Sequence, residues 1–190
     1  SLGILPTATG DDQAFFSAVL DFAEADQCLD RSHVFMTGFS MGGYLSNETG
    51  CLRQDVRAVA PHSGGTHDLS TCVTQHKPVL VMHFNGDGLI PYQCGQQARD
   101  RWVARNGCQL DQPEVKMVTG GNCEYYKGCP ADGQVAFCSF TIPTTGTRDE
   151  SFPGHAWSGG SKQGAGAPFA IPETESASAL SWAFFKKYAW

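Results

Sequence analysis

The stretch Val34 to Leu45, VFMTGFSMGGYL, constrains the fold of this 190-residue chain more than any other. An apolar run opening on β-branched Val34 reads as a strand, and a helix-compatible segment follows Gly43. Between them stands Gly38-Phe39-Ser40-Met41-Gly42. Gly-x-Ser-x-Gly joining a strand to a helix is the nucleophile elbow. A serine on so sharp a turn has a strained backbone, and side chains at the flanking glycines would collide with the neighbouring strand and helix. The turn lifts the Ser40 hydroxyl out of the sheet and aims the backbone N–H of Met41 at a carbonyl oxygen under attack.

The remaining pattern alternates. Asp11 to Asp26 reads as an amphipathic helix with Phe15, Ala18, Val19, Phe22 and Ala23 on its buried stripe, and Asp11 and Asp12 suit its N-terminus. Ser1 to Gly10 reads as an irregular lead-in. The helix after the elbow runs to about Cys51. Arg57 to Ala60 is a short strand ending at Pro61, and Ser63-Gly64-Gly65 is a turn. Pro78 to Phe84 is the strongest strand, apolar enough for burial on both faces. Gln96 to Asn106 is a helix with Ala98, Trp102 and Val103 inward, stopped by Gly107. Val115 to Val118 and Gln134 to Ile142 are further strands, separated by a loop holding Cys123 and Cys129. Thr144 to Pro172 reads as loop, and a last helix from about Glu173 buries Ala177, Leu180 and Phe184. This order predicts a single α/β domain: a mainly parallel sheet flanked by helices.

Net charge is −6, with 13 basic residues in no cluster, which argues against nucleic acid or a polybasic membrane patch. No apolar run reaches membrane-spanning length, and Ser1-Leu2-Gly3 is no signal peptide, so any targeting segment is expected to be gone already. Eight cysteines without a Cys-x-x-Cys pair read as disulfides of a secreted protein, not as a metal site. A strand and the helix after it run oppositely and return to one sheet edge, so Cys28 is expected to bond Cys51. Cys108, Cys123, Cys129 and Cys138 are expected to pair among themselves, leaving Cys72 for Cys94. Asn47-Glu48-Thr49 is a formal glycosylation sequon, but it falls on the expected helix and reads as chance.

A serine hydroxyl is a weak nucleophile until a base takes its proton, and a carboxylate must orient that base. On this architecture the chain order is serine, acid, histidine. His33 precedes Ser40. His62, His67, His76 and His83 leave no acid at the end of a strong strand between themselves and the serine. His155 does, because Asp87 lies just past the strongest strand, on the sheet edge where Ser40 emerges. Ser40, Asp87 and His155 are therefore the candidate catalytic trio, with Met41 as oxyanion donor. Phe39, Tyr92 and Trp157, beside the trio in sequence, are candidates to hold an aromatic acyl group, although packing is the commoner role of such rings. No cofactor or metal is implied.

Cys28-Leu29-Asp30-Arg31-Ser32-His33-Val34, running into Gly38-Phe39-Ser40-Met41-Gly42-Gly43, resembles the secreted esterases of the feruloyl esterase and polyhydroxybutyrate depolymerase type. Gly86-Asp87-Gly88-Leu89-Ile90-Pro91-Tyr92 is similar to their acid loop, and Gly154-His155-Ala156-Trp157 to their histidine loop. Asn106-Gly107-Cys108 with Cys123, Cys129 and Cys138 is in the style of the fungal members. The resemblance implies an α/β-hydrolase and a serine carboxylesterase acting on feruloyl or related plant-cell-wall esters. Acetyl-xylan and polyhydroxyalkanoate esters are alternatives, and an inactive hydrolase-fold binding module is an alternative of another class. Members of this type usually have several strands and a His-Gly oxyanion loop before the elbow, whereas here only residues 1–39 precede Ser40. The chain is thus expected to be the carboxy-terminal part of a larger domain, paired through its sheet with an amino-terminal part. In that case the elbow strand has a neighbour from other polypeptide, or a bare edge with exposed apolar side chains. Otherwise the second oxyanion donor comes from Ser1 to Gly10.

Overall fold

Helices and strands interleave along the chain, with two runs of consecutive strands. The computed structural model describes residues 10–141, 154–159 and 173–189. Its elements are α1 (Gly10–Asp26), β1 (Val34–Phe39), α2 (Met41–Leu52), β2 (Val56–His62), β3 (Val79–Phe84), α3 (Tyr92–Arg105), β4 (Gln109–Val118), β5 (Gly121–Lys127), β6 (Val135–Phe140) and α4 (Ala177–Phe185). One sheet has the order β1-β2-β3-β6-β5-β4. The first four strands are parallel; β5 and β4 extend the sheet as an antiparallel hairpin.

β3 is buried at every residue, so its apolar run serves both faces. Val79 and Val81 join the cluster around Trp102, Val59 and Phe137, beneath α2 and α3. Leu80, Met82 and Phe84 join the cluster beneath α4, with Phe140 and Phe184. Gly107 stops α3 with φ +70°, as its position in the sequence suggests. Among the described residues no helix is long and apolar enough to cross a membrane. The lead-in of residues 1–9 and most of the loop read over residues 144–172 lie outside the described residues.

Three expectations are corrected. First, α1 buries a different stripe. Leu20 is buried and Phe16 packs against the core, while Phe15 and Phe22 are 71% and 73% exposed, Val19 is exposed, and Ala18 too. Polar anchors set this rotation. Arg53, at the end of α2, donates to Gln13 O and Ser17 Oγ and lies 5.0 Å over the Phe16 ring. Gln13 also donates to Thr49 Oγ1.

Second, Cys123 lies in a strand, β5, whose mixed polarity hid it; a two-residue turn with Gly120 at φ +76° joins it to β4. Third, Cys51 bonds Cys72, not Cys28. Residues 63–78 return beneath the end of α2, where the N–H groups of Val73 and Thr74 donate to Cys51 O. Cys94 stands instead in the first turn of α3, just past the acid loop, so it cannot meet Cys72; Cys28 and Cys94 are free thiols. The other four do pair among themselves, as Cys108–Cys129 and Cys123–Cys138.

Asn47 is fully buried in α2. Its amide donates to Gly65 O at 2.9 Å and accepts from Trp102 Nε1 at 2.8 Å. That leaves no room for a glycan in the folded chain, in line with reading the sequon as chance.

Candidate active site

The elbow is jammed between a strand and a helix. A Cβ on Gly38 would stand 2.3 Å from Gly42 O, and one on Gly43 2.6 Å from His62 O, so neither position admits a side chain. Ser40 has φ +57° and ψ −116°, a costly conformation for a residue with a Cβ. The surroundings enforce it: Ser40 N–H donates to His62 O at 3.0 Å, and Ser40 O accepts from the N–H groups of Gly43 and Tyr44. Serine at a helix N-cap ordinarily spends its hydroxyl on a backbone N–H, but Ser40 makes no such bond. Its Oγ is left uncommitted by the helix. Met41 opens α2, so its N–H has no acceptor within the helix and lies at the positive end of the helix dipole.

The candidate acid, Asp87, stands in the turn after β3. The Asp87 side chain is fully buried. Its Oδ1 accepts the N–H groups of Leu89 (2.9 Å) and Ile90 (2.8 Å), and its Oδ2 lies 2.9 Å from His155 Nδ1. A second histidine, His83, stands 3.6 Å from the same Oδ2 but gives its Nε2–H to Ile90 O at 3.0 Å. Burial lowers the His83 pKa and keeps this ring neutral. His155 is thus the histidine that the carboxylate orients, and with Nδ1 engaged its Nε2 remains for a hydroxyl. The Phe39 ring, one residue before Ser40, lies 4.6 Å from the His155 ring.

Of the three aromatic candidates, Phe39 and Trp157 meet at this edge. Both pack on His62, Trp157 at 5.2 Å, and the Trp157 indole donates to Ser178 Oγ. Tyr92 lies instead between α3 and the sheet, against His83 and Phe137. Sequence reasoning dismissed His62 as a base for want of an acid and missed that it sits at the centre of this edge.

No family model matches the chain. Over 125 residues it is 40% identical to feruloyl esterase D of Neurospora crassa, an alignment covering 63% of this chain and 42% of that protein. It is 36% identical over 125 residues to feruloyl esterase C of Emericella nidulans, covering 63% and 46%. The chain therefore spans less than half the length of these homologues. Among solved structures, an acetyl xylan esterase from Aspergillus awamori matches with TM-score 0.53 over 67% of this chain and 60% of that one, at 14% identity. The Arabidopsis thaliana protein SOBER1 matches with TM-score 0.52 over 96% and 67%, also at 14% identity. The fold is that of the α/β-hydrolases. In this chain the Ser40 elbow, the Asp87 turn and the His155 segment come from three separate parts of the sequence and converge on one edge of the sheet.

Proposed function

We propose that this chain carries the catalytic residues of a secreted serine carboxylesterase acting on feruloyl or related esters of plant-cell-wall polysaccharide. The observation that carries the reading is the Asp87–His155 pair, held against the ring next to a strained serine whose hydroxyl caps nothing. Ser40 Oγ attacks the ester carbonyl carbon while His155 Nε2 takes its proton. Asp87 fixes the Nδ1–H tautomer and stabilises the imidazolium. The Met41 N–H faces the oxyanion. The tetrahedral intermediate collapses, the C–O bond to the alcohol breaks, and the alcohol leaves with the proton from His155. Water, activated by the same imidazole, then releases the carboxylic acid and regenerates Ser40. No cofactor enters this scheme.

The homologues named feruloyl esterase favour a hydroxycinnamoyl acyl group, and the fold neighbour named acetyl xylan esterase keeps acetyl-xylan as the alternative. The disulfides suit an oxidising compartment. Turnover of methyl ferulate and of a short-chain nitrophenyl ester, blocked by a serine-directed phosphonate that labels Ser40, tests the reading. Neither turnover nor labelling would point to a hydrolase-fold binding module.

We also propose that the chain is the carboxy-terminal part of a larger hydrolase domain, with an amino-terminal polypeptide pairing along β1. Among the described residues β1 has a single hydrogen-bonded neighbour, β2. Near this end of the sheet the α1 residues Phe15, Val19 and Phe22 are exposed. An intact-mass and native-mass measurement of purified protein tests this: a companion polypeptide supports it, and an active, soluble 20.4 kDa monomer removes it.

A further inference from the structure

His62 closes β2 at the sheet edge that carries Ser40, where the Phe39 ring packs against His155, and the catalytic scheme gives it no part. Its ring is fully buried, enclosed by Phe39, Phe84, Phe140 and Trp157. Enclosure of this kind ordinarily selects a hydrocarbon side chain, and a buried imidazole needs partners for both nitrogens. It has them. The backbone N–H of Ser158 points at Nε2 at 3.3 Å, and Nδ1 lies 3.0 Å from Ser63 Oγ. A backbone N–H can only donate, so Nε2 must be the unprotonated nitrogen. Nδ1 then carries the proton and donates it to Ser63.

The Ser63 end is itself fixed. Ser63 has φ +47°, and its N–H donates to Met82 O in β3. His62 O meanwhile accepts the Ser40 N–H. One residue therefore holds the nucleophile turn through its carbonyl and the histidine segment through its ring. From the far side, Ser158 O accepts the N–H of Ala177 at the start of α4. Residues 154–159 are thus tied at Asp87, at His62 and at α4.

We propose that His62 is a positioning residue: its neutral ring, locked as the Nδ1–H tautomer by Ser63, holds Ser158 and so fixes where His155 stands relative to Ser40. The inference rests on the esterase reading of that trio for its kinetic consequence, though not for its structural one. Burial, and after it the nearby His83 and His155, lower the His62 pKa well below the usual value, which keeps Nε2 available as an acceptor.

The test compares the parent with His62→Phe, which keeps an aromatic ring but has no acceptor, and His62→Gln, which restores an acceptor. Amide hydrogen–deuterium exchange is followed in residues 154–159 and, as an internal reference, in α3. Nitrophenyl-ester kinetics are run alongside, with Ser40→Ala as the control. In His62→Phe, exchange at residues 154–159 should rise with α3 unchanged, while kcat falls by about 10- to 100-fold and KM stays within about twofold. His62→Gln should recover both the protection and most of kcat. Unchanged exchange in His62→Phe, faster exchange in α3 as well, or a Gln variant no better than Phe would each overturn the proposal. Turnover that survives Ser40→Ala would overturn the esterase reading instead, and the exchange comparison would still decide the role of His62.

Discussion

The two ends of the sheet are built to opposite specifications. β4 has the devices of a natural edge: almost every residue is exposed, Asp111, Glu114 and Lys116 are charged, and Pro113 interrupts the ladder. Gln112 takes φ +56° where the register with β5 slips. β1, VFMTGF, has no charge and no proline, and its one register shift falls at its start, between Val34 and Phe35. Two of the disulfides, Cys123–Cys138 and Cys108–Cys129, crosslink the β4 end; Cys51–Cys72 ties the end of α2, and Cys28, just before β1 in sequence, is a free thiol. The β4 end is finished against water. The β1 end has the composition of an interior strand and carries the elbow.

If this division is functional, substitutions at the two ends should differ first in catalysis. Ser40→Ala should lower ester turnover by about four orders of magnitude or more without changing the circular dichroism, whereas Met117→Ala in β4 should leave it within about twofold. Comparable losses at both ends would erase the distinction. Asp87→Asn comes next, with a loss of about 10²–10⁴ in kcat because the imidazole loses the partner that sets its tautomer; single-turnover acylation measures it.

The β4 end should dominate stability instead. Replacing Cys123 and Cys138 together by serine should cost about 2–5 kcal/mol in urea unfolding. Phe15→Ser with Phe22→Ser on α1 should cost no more than about 0.5 kcal/mol each, since both rings are already in water, and should reduce self-association in sedimentation. A large stability loss in that pair would mean that α1 buries the stripe its sequence suggests.

Legibility followed locality. The elbow could be read because its glycines answer to contacts within a few residues, Gly38 against Gly42 above all. The pairing of Asp87 with His155 could be read because strand order and chain order leave few alternatives, and the structure brings them to 2.9 Å. The face of α1 could not. Its periodicity favours Phe15 and Phe22, and Arg53 and Thr49, in a distant part of the chain, turn Phe16 inward. Nor could the partner of Cys51, which depends on where residues 63–78 return. β5 pairs as an inner strand yet keeps Asn122, Glu124 and Lys127, so its polarity masked it. For His62 the missing signal was Ser158, which becomes a neighbour only in the folded chain.

The crosslinks have one more consequence. All three disulfides fall between Cys51 and Cys138. Asp87 lies between Cys72 and Cys108, outside every disulfide loop, with Ser40 before the first loop and His155 after the last. The crosslinked loops can therefore outlast the arrangement of these three residues. On warming, the two flanking segments can come away by breaking only non-covalent contacts, so inactivation should run ahead of melting. On cooling, they return to a block whose sulfur pairing never changed, and recovery then needs no slow thiol exchange. A chain crosslinked in this way loses its site early and regains it quickly, so its working life would be set by repeated reversible lapses and not by a single terminal one.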